Sequence, residues 1–254
     1  MMISPEKMPQ KIIYGEQTID YQIHFVAVRQ KKIAIHIHPN GSVQVEAPTN
    51  THLSEINNAV QKRARWVLKH LNQIEIQSSY ILPREYISGE THFYLGRRYL
   101  LKIHIEKSQN SLSKNGGVKL IQGKFQIHTM DQSPHYIKML LWDWYKTQSR
   151  IVFHRRLQNI RTNISWMHDE LPQWKLLTMK KRWGSCSPKG IITLNPHLVK
   201  ASNDCIDYVI LHEICHLKEH NHSQRFYKLL DQNMPDWKVR KVKLDEMANL
   251  FLNE

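Results

Sequence analysis

His212-Glu213-Ile214-Cys215-His216, followed by His222 six residues after its second histidine, decides how the C-terminal half of this chain is read. With 3.6 residues per helical turn, residues four apart project about 40° from each other, so His212 and His216 share a face and both imidazoles reach one ion. Glu213 stands beside them, within reach of a metal-bound water. His222 need not belong to the same helix. A reversal near Asn221, a residue that tolerates left-handed dihedrals, returns it as a third nitrogen. Three protein ligands leave a fourth position for water, which is the pattern of catalytic rather than structural zinc. With 16 His and 13 Glu in 254 residues, chance supplies this spacing about 0.003 times per chain, so coincidence is a poor explanation.

Ile206, Val209, Ile210, Ile214 and Leu217 make one apolar helical stripe, and Glu213 falls inside it. A carboxylate there is costly without a partner or a task. The blander alternative is a salt-bridged Glu among core histidines. Asn203 or Asp204 caps this helix, Ser223 caps the next through Leu230, and Pro235-Asp236 opens a last helical segment.

Upstream, Trp174 to Met179 reads as a strand, Ser187-Pro188-Lys189-Gly190 as a turn and Ile191 to Asn195 as a returning strand. As a hairpin, residues 182–195 offer an edge to which an extended peptide adds as a further strand. Arg182 would then hold a carboxylate or phosphate and Trp183 would pack under the site, with a plain core-forming hairpin as the equal alternative. Cys186 reads as a ligand, a nucleophile or a small buried residue, and Cys215 as packing behind the helix.

Ser133-Pro134 starts a long helix that runs through Leu157. The N-terminal part is rich in strands. Ile33, Ile35 and Ile37 face Val43 and Val45 around Pro39-Asn40-Gly41, a hairpin, and an amphipathic helix follows over about 51–77. A second β-rich stretch runs from Pro83 to His128 with a Ser/Asn/Gly turn at 108–117. The chain is therefore expected to be α+β, with a β-rich region over 1–130 and a helical metal-binding catalytic domain over 131–254. No internal repeat is visible.

Composition sets the bounds. A 41% apolar content over 254 residues supports a real core. No run of 18 apolar residues occurs and the first 17 residues contain no apolar leader core, so neither membrane spanning nor secretion is expected. Three cysteines, Cys186, Cys205 and Cys215, do not suit a disulfide framework, and a reducing cytoplasm fits them. The 36 Lys and Arg against 22 Asp and Glu leave a net charge of +14. This reads either as solvated faces or as a footprint for nucleotide or nucleic acid, and charge alone does not choose.

Taken together these pieces resemble the YgjP-like metallopeptidase family, which is related to SprT-like and other zincin proteins carrying H-E-x-x-H. The resemblance is carried by Gly89-Glu90 with Tyr94-Leu95-Gly96-Arg97-Arg98-Tyr99, by Lys180-Lys181-Arg182-Trp183-Gly184-Ser185-Cys186-Ser187, by Leu194-Asn195, by Tyr208 to Glu213, and by Asn221-His222-Ser223 with Phe226. It implies zinc on His212, His216 and His222, Glu213 as general base, and a zincin-like core. Two departures stand out. Metzincins place Gly midway between their last two histidines, where this chain has Glu219. After Leu194-Asn195 the family continues with an aromatic and a basic residue, where this chain has Pro196 and His197.

The chemistry expected is hydrolysis: Glu213 takes a proton from a zinc-activated water, a carbonyl is attacked, and the proton passes to the leaving amine. His197, Tyr208 or Arg182 offers a donor to the oxyanion, with Trp183 and Asn195 as further substrate-side candidates. A polypeptide is the expected substrate. Two rivals keep the metal: a nucleotide or phosphoanhydride hydrolase or nucleic-acid-associated protein, and a zinc-stabilised interaction module without turnover.

Overall fold

The structure is a computed structural model that describes residues 8–26, 33–38, 41–79, 83–106, 117–167 and 170–252. Alternating apolar and polar residues form β1 (Met8–Tyr14), β2 (Gln17–Val26), β3 (Ala34–Ile37) and β4 (Val43–Pro48), in the order β1-β2-β4-β3. Side chains alternate across a strand, so one face collects Ile19, Tyr21 and Ile23 of β2 with Val43, Val45 and Ala47 of β4. Against that face pack α1 (Leu53–Lys62) and α2 (Ala64–Ser79), through Ile56, Val60, Ala64 and Val67. The single helix expected over 51–77 is broken at Arg63, whose φ of −109° and ψ of 7° leave the helical region. Val60 and Ala64 carry the apolar stripe across the break, which is why periodicity conceals it. The β3–β4 hairpin forms as expected, with the His38 N–H bonded to the Ser42 carbonyl at 2.9 Å; Pro39 and Asn40 lie outside the described residues.

The same plan recurs beyond Pro83. β5 (Thr91–Tyr94), β6 (Arg97–Ile105), β7 (Val118–Ile121) and β8 (Lys124–Thr129) follow the order β5-β6-β8-β7. In each sheet the central pair is parallel and the outer pairs are antiparallel. The chain thus repeats a topology without repeating residues, so the recurrence leaves no internal repeat in the sequence. All but the last residue of the expected 108–117 turn falls outside the described residues.

Two compact units result, Met1–Leu82 and Pro83–Leu252. The boundary lies at Pro83 rather than near residue 130, because Phe93, Leu101, Phe125 and Ile127 of the second sheet are buried in one core with the C-terminal helices. In that unit α3 (Pro134–Arg161) buries Ile137, Leu141, Tyr145, Val152, Phe153 and Leu157. Ser133 occupies its N-cap position without a side-chain capping bond. A three-stranded sheet follows: β9 (Trp174–Leu176), β10 (Gly184–Cys186) and a central β11 (Ile192–Leu194), antiparallel to β10 and parallel to β9. A 3-10 turn at Pro196–Lys200 leads into α4 (Asn203–Lys218), then α5 (Gln224–Asn233), α6 (Trp237–Glu246) and α7 (Ala248–Leu252). This is the α+β architecture expected, with strands early and helices late. Among the described residues no helix is long and apolar enough to cross a membrane.

Candidate metal centre

The helix that carries the site is held at its start and along its side. Between β5 and β6, Leu95 and Gly96 both have positive φ, 49° and 78°, as a two-residue hairpin turn requires. Their N–H groups donate to the carbonyls of Val199 and Lys200 at 2.9 and 3.0 Å. A Cβ at Gly96 would sit 2.8 Å from that of Ser202, so only glycine permits this approach. Ser202 is the N-cap residue of α4, one residue before the expected Asn203 and two before Asp204, and its side chain makes no capping bond there. Along the helix, the Arg156 guanidinium of α3 forks onto both carboxylate oxygens of Asp207.

Two turns on, α4 presents His212 and His216, and His222 returns to meet them. One ligand atom from each of the three lies within 4.8 Å of the others, and the Nε2 atoms of His212 and His222 are 3.0 Å apart. Tetrahedral coordination at zinc–nitrogen distances of about 2.0–2.1 Å sets ligand nitrogens roughly 3.3 Å apart, so the spacing suits one cation. The return is not made by a left-handed Asn221, whose φ is not positive. Glu219 ends the helix in an extended conformation, φ −128° and ψ 96°, and Ser223 restarts it by accepting the Phe226 N–H at 3.3 Å. The Glu219 carbonyl also accepts from His216 Nδ1 at 3.1 Å, which fixes that proton and turns the Nε2 lone pair to the cluster.

The donor set passes a further test of fit. Burial drives His212 down to about 3, assisted by His222, His216 and Lys241. Burial also lowers His216. Both rings are neutral at physiological pH and keep the lone pairs a metal needs. Beneath them lies Phe226, fully buried, with ring centroids 4.9, 4.6 and 4.8 Å from those of His212, His216 and His222. Phe226 is a positioning residue that the sequence marks only as part of the family pattern.

Glu213 is buried, as its place in the apolar stripe demands, with 5% of its surface exposed. Burial pushes its carboxyl up to about 8, and the Arg182 guanidinium draws it part of the way back. Its wall is β10. A Cβ built on Gly184 would meet Glu213 Oε1 at 2.7 Å, Cγ at 2.8 Å and Cδ at 3.0 Å. The glycine of the R-W-G-S-C-S segment therefore lets a strand backbone lie directly on the carboxylate. Cys186, two residues along, is half-buried; burial and the neighbouring Glu213 raise its thiol to about 11, which leaves it protonated and unsuited to nucleophilic work.

The other substrate-side candidates divide between the neighbourhood of Glu213 and His212 and places away from it. Arg182 faces Glu213 electrostatically. Trp183 packs edge-on to Phe251, and its carbonyl accepts the Asn195 N–H at 2.8 Å. Asn195 is fully buried and spends its side chain on backbone: Nδ2 donates to the Met179 and Arg182 carbonyls at 2.7 and 2.9 Å, and Oδ1 accepts from His197 N. It clamps the approach to β10. Tyr208 is buried one turn before His212 and stacks on Trp237. Burial holds its phenol well above the usual range. His197 lies against Trp142, ring centroids 4.4 Å apart, on a separate cavity.

The family described as YgjP-like, metallopeptidase domain, matches residues 31–247. The solved structure of the metallopeptidase zymogen of Pyrococcus abyssi abylysin is similar at 20% identity and a TM-score of 0.34, over 39% of this chain and 94% of that one. No curated protein matches.

Proposed function

Since the chain belongs to the YgjP-like metallopeptidase family, we propose that it is a zinc-dependent peptidase whose metal is held by His212, His216 and His222 and whose general base is Glu213. The observation that carries this reading is the convergence of three imidazoles within 4.8 Å, with a buried carboxylate on the adjoining helical position. Zinc held there lowers the pKa of a coordinated water to roughly 7 and polarises a substrate carbonyl.

The chain's own residues supply the rest. Glu213 would accept the proton of the attacking water and deliver it to the leaving nitrogen, held for that task by its buried place on the helical position next to His212. Gly184 and its strand fix where that carboxylate stands. Within the described residues β10 pairs with β11 on one side and with no strand on the other, so an extended polypeptide can add to its outer edge beside Glu213. Arg182, at the start of that edge, suits a substrate carboxylate. Three free thiols, two of them buried, suit a reducing compartment such as the cytoplasm.

The test is an unstructured polypeptide and a nucleoside triphosphate, each incubated with zinc-loaded protein and with Glu213→Gln. Wild type is expected to cleave the polypeptide, and Glu213→Gln to keep its zinc while losing turnover by at least about 10³-fold. Cleavage that persists in Glu213→Gln refutes its role. Hydrolysis of the triphosphate with the polypeptide left intact refutes the peptidase reading.

A further inference from the structure

The first unit carries a run of cations that the metal centre does not use. Between Ile56 and Ile74 the chain contains no Asp or Glu, yet Lys62, Arg63, Arg65 and Lys69 fall within that stretch. All four are exposed. Arg63 marks the break between α1 and α2, and Arg65 stands in the first turn of α2, where the helix macrodipole favours acids and none is present. Among the described residues none of the four is ion-paired. Neither pairing within the fold nor the field of the helix accounts for the placement of Arg65.

Trp66 sits among them with 44% of its surface exposed, while Ala64 and Val67 on either side of it in sequence are fully buried. At 3.6 residues per turn, Arg65 and Lys69 project about 160° from Val67, with Trp66 beside them. His70 holds this arrangement. Its Nδ1 lies 2.9 Å from the Trp66 carbonyl, and the two ring centroids are 4.5 Å apart. A carbonyl only accepts, so Nδ1 carries the proton and the imidazole stays against one side of the indole. The aromatic surface is thereby pre-organised, and stacking a flat group on it costs little further ordering. Phosphate answers the cations and a base answers the indole, and nucleic acid with unpaired bases offers both. A lipid surface needs an apolar helix face; that of α2 is already buried, with Ala64 and Val67 in the core, and the outward face continues into exposed Asn72 and Gln73. An acidic peptide would meet the charges and leave the indole without a stacking partner.

We propose that the face of α2 around Trp66 is a binding surface for single-stranded nucleic acid: a base stacks on the Trp66 indole, and Lys62, Arg63, Arg65 and Lys69 neutralise the phosphates on either side of it. Such contact tolerates any base, because every base offers a flat π-face. It gives part of the net charge of +14 a task that hydrolysis leaves unassigned.

Fluorescence anisotropy of the full chain with a labelled oligothymidylate of about 16 nucleotides tests this. Between about 50 and 200 mM salt, the logarithm of the affinity is expected to fall against that of the salt with a slope of about −2.8, the value for four phosphates neutralised on a single strand. Arg65→Gln with Lys69→Gln is expected to make the slope shallower by about 1.4 and to weaken binding about tenfold or more at the lower salt. Trp66→Ala is expected to weaken binding about tenfold with the slope unchanged, and Trp66→Phe to recover most of that loss. Lys119→Gln with Lys124→Gln removes the same charge from exposed positions of β7 and β8 and is expected to change the affinity less than about twofold. Glu213→Gln is expected to bind as wild type does, so that failure here and failure of the peptidase reading are separate results. A slope shallower than about −1, equal affinity for a duplex of the same length, displacement of the oligonucleotide by polyglutamate at equal charge, tighter binding to phosphatidylserine vesicles than to the oligonucleotide, unchanged binding in Trp66→Ala and in Arg65→Gln with Lys69→Gln, or an equal loss in Lys119→Gln with Lys124→Gln would each overturn the proposal.

Discussion

Replacing Gly184 with alanine tests how the carboxylate of Glu213 is positioned. The new Cβ would stand 2.7 Å from Oε1 and 2.8 Å from Cγ, whereas uncrowded contacts lie beyond about 3.4 Å, so strand and carboxylate must separate by about 0.7 Å. Glu213 is too buried to swing into solvent, and the displacement therefore falls on the base itself. Misplacement by about 1 Å costs a reaction about 10²-fold, which puts the expected loss in kcat at about 10- to 100-fold, or about 1.4–2.8 kcal/mol of barrier. Zinc content and KM should change little, since the histidines and the outer edge of β10 are untouched. Gly123→Ala is the control: its φ of 73° makes alanine strained there, yet nothing lies within 4 Å of the added Cβ. That variant is expected to lose about 1 kcal/mol of stability and no activity. The assay is steady-state cleavage of an unstructured polypeptide by zinc-loaded protein, beside thermal unfolding and metal analysis. Wild-type kcat in Gly184→Ala, or a loss that merely follows stability as in the control, refutes the reasoning.

Other outcomes follow from the same contacts. Asp207→Ala strands the largely buried Arg156 guanidinium and is expected to cost about 3 kcal/mol in denaturant unfolding, whereas Arg156→Met with Asp207→Leu recovers most of it; equal loss in single and double variants refutes the pairing. Phe226→Ala removes the floor beneath three imidazoles and is expected to cost about 3–5 kcal/mol of stability, with weaker zinc retention against a competing chelator; unchanged retention would show that the rings hold themselves. Asn195→Leu leaves the Met179 and Arg182 carbonyls without their donor and is expected to destabilise by about 1–3 kcal/mol, read from the unfolding midpoint; a neutral result removes Asn195 as the clamp.

Local geometry made the histidine pair of α4 readable: residues four apart on a helix share a face wherever the helix sits, so His212 and His216 needed no tertiary information. The burial of Glu213 was readable for the same reason. What depended on distant backbone was not. Gly184 looks like a hairpin glycine until β10 is laid on α4, and the sequence does not reveal that Asn195 bonds the Met179 and Arg182 carbonyls or that His197 lines a separate cavity. The return of His222 by an extended Glu219 escaped notice because many dihedral routes close a six-residue span. The doubled sheet topology was hidden because strand order leaves no mark on residue identity when each face asks only for apolar alternation. Helix starts slipped by a residue at Ser202, where packing under the β5–β6 turn, rather than a capping bond, sets the boundary.

X-ray absorption at the zinc edge of the purified, zinc-loaded chain tests most directly whether His212, His216 and His222 hold one ion. One zinc per chain with three imidazole nitrogens at about 2.0–2.1 Å, reduced to two in His222→Ala, is the expected result. A shell that contains sulfur, or one that His222→Ala leaves unaltered, would contradict it.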